Sequence, residues 1–198
     1  MSRIAVLGNG RVGSSLAAAL TKAGHEVTAV GREPGAAANT SGTAQIVINA
    51  TPGSGSLERL TALREELRGK ILVDVSNATT DGPDGLPANL IYSGSSLAER
   101  LQHALPDTHV VKTLNTMLFM VMTAPSALST SPTAYLSGND EQAKKTVAGL
   151  LTDLGWEPAW IEDLGDITTA RATEAMILVV PHIIRRNGFT PFAVSLAR

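Results

Sequence analysis

Cysteine is absent from this sequence of 198 residues. That excludes a disulfide framework, thiolate metal sites and a cysteine nucleophile, and it is compatible with a reducing compartment. Charge is sparse as well: 17% of residues are Asp, Glu, Lys or Arg, and the formal net charge is -2. Such a balance gives neither nucleic acid nor an acidic membrane surface an electrostatic footing, so neither is expected as a partner. Long apolar runs are lacking. The longest, Ala175 to Val180, falls well short of the ~20 residues that cross a bilayer. No charged leader with an apolar segment and a cleavage site opens the chain. A soluble, cytoplasmic protein is the expectation. Also missing are a Ser/His/Asp arrangement, a histidine-rich metal spacing and a close pair of carboxylates, so no metal site is expected. What is present suffices for a fold. A hydrophobic share of 43% supports a real core, in one compact domain or one with a small appendage.

The spacing of apolar residues predicts strands at Arg3 to Leu7, Glu26 to Val30, Ile46 to Ala50, Ile71 to Val75, His109 to Thr113 and Ala134 to Ser137. Several are continuous apolar runs, as parallel strands covered on both faces require. Leu16, Ala19, Leu20 and Ala23 recur at helical spacing and stop at Gly24, a good C-terminal cap. Helical spacing returns over Leu57 to Leu67, Leu97 to Leu105 and Glu141 to Leu154. The alternation predicts a doubly wound α/β sheet of the Rossmann type. The link from Arg32 to Thr43 has almost no apolar stripe and reads as a loop or a single turn. After Gly155 the pattern changes to a short strand, Glu157 to Ile161, and a long apolar helix from about Asp166 to Arg185. Residues 1–154 are therefore read as a dinucleotide-binding domain, and residues 155–198 as a small C-terminal helical cap.

Gly8-Asn9-Gly10-Arg11-Val12-Gly13 lies between the first strand and the first helix. Glycines at this spacing allow a tight turn, close approach of backbone to a pyrophosphate, and close helix-strand packing. The helix N-terminus adds free N–H groups and a positive dipole end. The end of the second strand then discriminates between dinucleotides. NAD calls for a carboxylate there to accept the ribose hydroxyls. The chain has Gly31 and Arg32 instead, and a guanidinium grips a 2′-phosphate with paired hydrogen bonds. Glu33 follows and is expected to point elsewhere. NADP(H) is the cofactor this pattern favours; a solvated loop arginine is the alternative reading of Arg32.

Ligands of open α/β sheets bind beyond the carboxyl ends of the strands. There the chain carries Asn49 to Gly53, Ser76 to Thr79 and Asn115 to Met117, each able to meet a ribose or an amide and each equally a turn former. Met117 to Met122 is apolar enough to wall a planar ring, although a plain core segment explains it better. His25 and His103 read as structural, and His182 as a core histidine, with a position facing the cleft as the alternative. Lys112 is open between an acid and a salt-bridged side chain. Nothing demands acid-base chemistry, so no catalytic residue is named. Hydride exchange between two bound cofactors needs positioning above all.

Taken together, Ile4 to Gly13, Ala23 to Val27, Gly31-Arg32, Val73 to Ala78, Ser96 to Glu99, Val110 to Thr116, Ser137 to Lys144, Leu164 to Glu174 and Arg186 to Gly188 resemble the F-420-dependent NADP oxidoreductases. The resemblance spans nearly the whole chain. It implies that Asn9, Gly10, Arg11 and Val12 hold the pyrophosphate and that Gly31 and Arg32 hold the 2′-phosphate. It further implies that Thr51 and Pro52 lie by the nicotinamide ribose, and Thr113, Leu114 and Asn115 by the nicotinamide. The implied activity is hydride transfer between NADP(H) and a deazaflavin, coenzyme F-420, or a flavin-type partner, in a homodimer joined through the C-terminal segment. Three departures stand out: Gly31 where the family often has a hydroxyl residue, the short link after Arg32, and the bulky Met117 to Met122. A non-catalytic NADP(H) sensor and an NADPH reductase of a small organic substrate remain as alternatives.

Overall fold

The computed structural model describes residues 1–197. Its strands are β1 (Arg3–Leu7), β2 (Glu26–Val30), β3 (Ile46–Asn49), β4 (Ile71–Asp74), β5 (Thr79–Asp81), β6 (Pro87–Leu90), β7 (His109–Lys112), β8 (Ala134–Gly138) and β9 (Ile161–Asp163). Its α-helices are α1 (Arg11–Lys22), α2 (Ala36–Thr43), α3 (Ser56–Thr61), α4 (Arg64–Leu67), α5 (Leu97–Ala104), α6 (Phe119–Met122), α7 (Glu141–Asp153), α8 (Ala170–Ala175) and α9 (Val180–Asn187). Seven strands form one sheet in the order β2-β1-β3-β4-β7-β8-β9, and β5 and β6 form a separate hairpin. All neighbours in the large sheet are parallel except β7 and β8. This is the doubly wound Rossmann-type sheet that the alternation of elements predicts.

Side chains alternate across the strands and sort into two cores. Ile4, Val6, Ile46, Ile48, Val73 and Val111 face the layer holding α1 and α7, with Leu16, Leu20, Val147 and Leu151. Ala5, Leu7, Val47, Leu72 and Val110 face the other layer, with Leu60, Leu67, Leu97, Leu101 and Leu105. Burial of one such leucine stabilises the fold by about 1.5–3 kcal/mol, so both helical layers are held firmly. Registers run level: Leu7 pairs with Val30 and with Asn49, Asn49 with Asp74, and Asp74 with Lys112. The carboxyl ends of five parallel strands therefore share one rim. The chain crosses to opposite sides after β1 and β3, which leaves a crevice between their ends.

The structure departs from the sequence reading in several places. The link after Arg32 is a two-turn helix, α2, whose small residues let it lie close against β1 and β2. The strand expected at Glu157 to Ile161 is a 3-10 turn, Pro158–Trp160, followed by β9. Pro158 has no N–H to give a sheet ladder. The long C-terminal helix is broken into a 3-10 turn (Ile167–Thr169), α8, a 3-10 stretch (Met176–Val179) and α9. Pro181 enters at the start of α9, removes one N–H and crowds the carbonyl four residues back, so the tighter turn precedes it. Beyond residue 154, β9 continues the large sheet at its edge. The hairpin β5–β6, unforeseen because its residues are mostly polar and exposed, turns at Gly82-Pro83-Asp84-Gly85 and is tied to α9 where Arg185 Nη2 reaches Asp84 Oδ2 at 2.6 Å.

By length and composition alone Ile167–Asn187 passes as a segment able to cross a membrane, with a mean hydropathy of 1.3 over an 18-residue window, although its contiguous apolar runs are short. Side-chain pairing ties this run to the body of the protein: Arg171 pairs with Glu99 on α5, and Glu174 is buried against β7.

Candidate functional site

Gly8 N donates to Val30 O at 2.8 Å and thereby extends the β1–β2 ladder by one residue. The chain then turns sharply at Gly8, whose φ of +106° excludes ordinary side chains. A Cβ there would also lie 2.6 Å from Ala50 O, at the end of β3. A Cβ on Gly13 would overlap the Gly8 carbonyl. These two glycines thus let α1 sit directly on the turn. Gly10 differs, because its Cβ would meet nothing within 4 Å. It faces the open crevice.

Gly10 also occupies the N-cap of α1 and supplies no side-chain acceptor, and no acidic residue lies in the first turn. The contrast within the chain is informative. Ser96 caps α5 and Asp140 caps α7, each with a glutamate in the first turn. The N–H groups of Arg11, Val12 and Gly13 lack an intrahelical partner, as at any helix start, and they point a positive dipole end at the crevice. Arg11 holds its guanidinium 5.6 Å from the centre of the Phe119 ring. That contact docks α6 beside the turn, reinforced by Ser15 Oγ and Thr123 Oγ1 at 2.9 Å.

At the end of β2, Arg32 is exposed, and among the described residues it has no hydrogen bond or ion pair. Asn9 leans over Gly31, so that a Cβ there would lie 2.6 Å from Asn9 Nδ2. Glu33 does not point elsewhere. Its Oε2 accepts from Gly31 N at 3.0 Å, and the chain turns just beyond it, where Ala36 N donates to Glu33 O at 3.2 Å.

The rim of β3, β4 and β7 is built on a buried polar network that sequence reasoning largely missed. Lys112, 1% exposed, donates to Asp74 Oδ2 at 2.7 Å and to the Ser76 carbonyl, and lies 3.0 Å from Glu174 Oε1. Burial pulls its ammonium down, but the charges and hydrogen bonds of Asp74 and Glu174 outweigh this and hold it above the ordinary lysine value. Lys112 is therefore committed to two carboxylates and is no free acid. Glu174 in turn accepts from Leu97 N at 2.9 Å and Ala98 N at 3.2 Å, at the start of α5. Asp74 Oδ1 accepts from Asn49 Nδ2 at 2.8 Å and from Ser76 Oγ at 2.7 Å. Asn49 Oδ1 then accepts from Thr51 Oγ1 at 2.6 Å, and Arg59 Nη2 donates to Pro52 O at 2.6 Å. Thr51 and Pro52 are thus fixed from below. Asn49, Asp74 and Lys112 each close an apolar strand run with a polar residue, and that repeated ending is the signal that would have found them.

At the end of β7, Leu114 adopts φ +58°, an uncommon conformation for a bulky residue and a local strain of the kind that gathers at functional positions. Beside it, Thr113 Oγ1 and Thr116 Oγ1 are buried without a hydrogen-bond partner. Asn115 Nδ2 donates to Asn77 Oδ1 at 3.0 Å, and Asn77 Nδ2 returns a bond to Asn115 O at 2.9 Å. Met117, Val121 and Met122 are core residues, whereas Leu118, Phe119 and Met120 are half-buried. The C-terminal tail pairs with this segment through Leu118 N to Phe192 O at 3.1 Å and Val194 N to Thr116 O at 2.9 Å.

The histidines lie away from the rim. His25 is tied to Asp153 at 3.0 Å through Nε2, while His103 and His182 are exposed, the latter against expectation. Among the described residues no group of His, Cys, Asp and Glu is arranged to hold a metal. An open backbone above Gly10, free helix-start donors, an unpaired guanidinium and unpartnered buried hydroxyls together suit an elongated ligand that is anionic in the middle and polar at its ends.

A doubly wound sheet with an uncapped glycine turn at its crossover point defines a Rossmann-type dinucleotide-binding protein. Residues 3–54 match the family described as NADP oxidoreductase, coenzyme F420-dependent. The whole chain is similar to the solved structure of a candidate F420-dependent NADP reductase from Arthrobacter sp. FB24, with 38% identity, 100% of both chains covered and a TM-score of 0.91. The chain belongs to the F420-dependent NADP oxidoreductase family and is an oxidoreductase of the NADP-dependent class. A hypothetical protein from Sinorhizobium meliloti shares 28% identity over 85% of this chain and 88% of its own, with a TM-score of 0.66. Pyrroline carboxylate reductase from Plasmodium falciparum, solved with NADP bound, shares the fold at 12% identity, a TM-score of 0.62, and coverage of 93% of this chain and 65% of that one. No curated protein matches the chain significantly.

Proposed function

We propose that the chain binds NADP(H) across the ends of β1, β2, β3 and β7 and exchanges hydride with a deazaflavin, coenzyme F-420, or a flavin-type partner. The observation that carries this reading is the uncapped start of α1 above Gly10, with the unpaired Arg32 at the neighbouring strand end. In this reading Gly8, Asn9, Gly10, Arg11, Val12 and Gly13 cradle the pyrophosphate, which is drawn by the N–H groups and the helix dipole. Gly31 and Arg32 meet the 2′-phosphate. Thr51 and Pro52, held by Asn49 and Arg59, border the ribose next to the nicotinamide. Thr113, Leu114 and Asn115 line the nicotinamide, where the unpartnered Thr113 hydroxyl is free to meet an amide. Bound NADP(H) supplies the hydride chemistry. The protein's part is to orient the ring, exclude water with the Leu118 to Met120 surface, and hold the acceptor in line. Lys112, already paired with Asp74 and Glu174, moves no proton.

The test is a titration of the purified protein with NADPH, followed by addition of F-420 or FMN while absorbance is recorded. Oxidation of NADPH on adding either acceptor supports the reading. Tight binding with no turnover by any acceptor makes the chain a sensor. Arg32→Ala is expected to weaken NADPH about tenfold or more, as loss of a charge-assisted phosphate contact implies, with NADH nearly unchanged. Equal losses for both dinucleotides would remove Arg32 from the 2′-phosphate.

We further propose a cytoplasmic homodimer. Leu178, Val179 and Phe189 are exposed along and just beyond the C-terminal helices, with Ile91 after the neighbouring hairpin strand, and exposed apolar side chains on neighbouring elements favour a second copy.

A further inference from the structure

Glu33 carries an inference that rests on the cofactor reading above. Its carboxylate accepts from Gly31 N at 3.0 Å, and a Cβ on Gly31 would lie 3.1 Å from that same oxygen. Glu33 is therefore admitted to the end of β2 because Gly31 has no side chain to hold it off. It brings a negative charge to one of the two residues assigned to the 2′-phosphate. Arg32 does not neutralise it, since no ion pair joins them among the described residues. In dinucleotide sites a carboxylate beyond the second strand accepts ribose hydroxyls and opposes a 2′-phosphate. Here the residue directly after β2 is glycine, and the carboxylate arrives from two positions later by folding back.

We propose that Glu33 is a specificity-determining residue that narrows the preference of the site for NADPH over NADH. With NADH the Glu33 carboxylate stays in place and accepts from the ribose 2′-hydroxyl. With NADPH it swings away, freeing Gly31 N–H to donate to the 2′-phosphate alongside Arg32. Each NADPH binding event thus displaces one anion by another, and the exposed loop makes that exchange sensitive to salt.

Dissociation constants for NADPH and NADH, measured by fluorescence titration of the full chain, test this in Glu33→Gln and Glu33→Ala. Glu33→Gln keeps the acceptor for Gly31 N–H but removes the charge. It is expected to tighten NADPH about tenfold, or about 1.4 kcal/mol, and to weaken NADH about threefold through loss of one charge-assisted hydrogen bond. The NADPH gain should shrink as salt rises from about 0.02 M to about 0.5 M. Glu33→Ala should shift the ratio of the two constants in the same direction. A ratio that is unchanged, or moved toward NADH, in both variants would overturn the role of Glu33 while leaving the cofactor reading intact. Failure of the unaltered chain to bind either dinucleotide would overturn the cofactor reading, and this inference with it.

Discussion

Gly10 and Gly13 stand three residues apart in one turn, yet their surroundings assign them different work. A methyl group on Gly13 would collide with the Gly8 carbonyl, whereas one on Gly10 would enter open space. Gly10 also has an extended backbone, φ -74° and ψ -171°, that alanine adopts freely. Gly13→Ala is therefore expected to destabilise the fold by about 3 kcal/mol through overpacking. Gly10→Ala should leave the melting temperature of the unliganded protein almost unchanged and abolish most of the thermal shift produced by NADPH. Thermal unfolding with and without NADPH reads both. A large loss of stability in Gly10→Ala would mean that this glycine serves packing after all. At the same scale, the sequence made the glycine turn legible because φ, crowding and helix packing each demand glycine at a fixed spacing. It did not reveal the Glu33 carboxylate on Gly31, since the rotamer by which a side chain folds back over two residues is not written in residue spacing.

Between elements, the most consequential contact is the ion network in which β4, β7, α5 and α8 meet. Lys112 sits between Asp74 and Glu174, and Glu174 also takes the first N–H groups of α5. Removing the shared cation leaves two buried carboxylates uncompensated, so Lys112→Met should cost about 3–5 kcal/mol. The pH dependence has a definite sign. The Lys112 ammonium is held above its ordinary value in the folded protein. Its contribution to stability is fully present below the unfolded lysine value of about 10.4 and is lost as pH rises through the higher folded value. Thermal midpoints followed from about pH 8 to about pH 11 should therefore fall more steeply for the native chain than for Lys112→Met at the alkaline end. Parallel curves would show that the ammonium adds nothing. The strands and the longer helices were readable from periodicity, and the end of α1 also from Gly24. The helix α2 was not, because small residues that pack close to a sheet carry no apolar stripe. Nor was the break before Pro181 placed, where one proline converts a continuous helical pattern into two helices joined by a tighter stretch.

For the molecule as a whole, the C-terminal residues do more than cover one end. They add β9 to the sheet, send Glu174 into the rim network, and pair the tail with Thr116 and Leu118 next to the nicotinamide side of the proposed site. Among the described residues Phe189 is the most exposed large apolar residue after Met1, at 59%, and Val179 is 42% exposed. Light scattering at micromolar concentration is expected to report twice the mass of the chain. Phe189→Glu combined with Val179→Glu should shift it toward one chain, because each charge would be buried in a dimer. A single-chain mass for the native protein would overturn the homodimer proposal.

Several properties follow from the sequence alone because they depend on local spacing. The apolar strands covered on both faces, the glycine turn at Gly8 to Gly13, and the placement of Gly31 and Arg32 after the second strand are of this kind. Periods of 2 and 3.6 residues, and the steric demands of a turn, are written within a dozen residues of one another. The tertiary structure alone decided which polar residues share a site. Asp74, Lys112 and Glu174 lie 38 and 62 residues apart in the chain, and only the level register of β4 and β7 and the docking of α8 bring their charges together. The same holds for Arg11 against Phe119 and for the tail against Thr116. Long-range electrostatics and packing act through space, so their partners are set by topology and cannot be read from spacing.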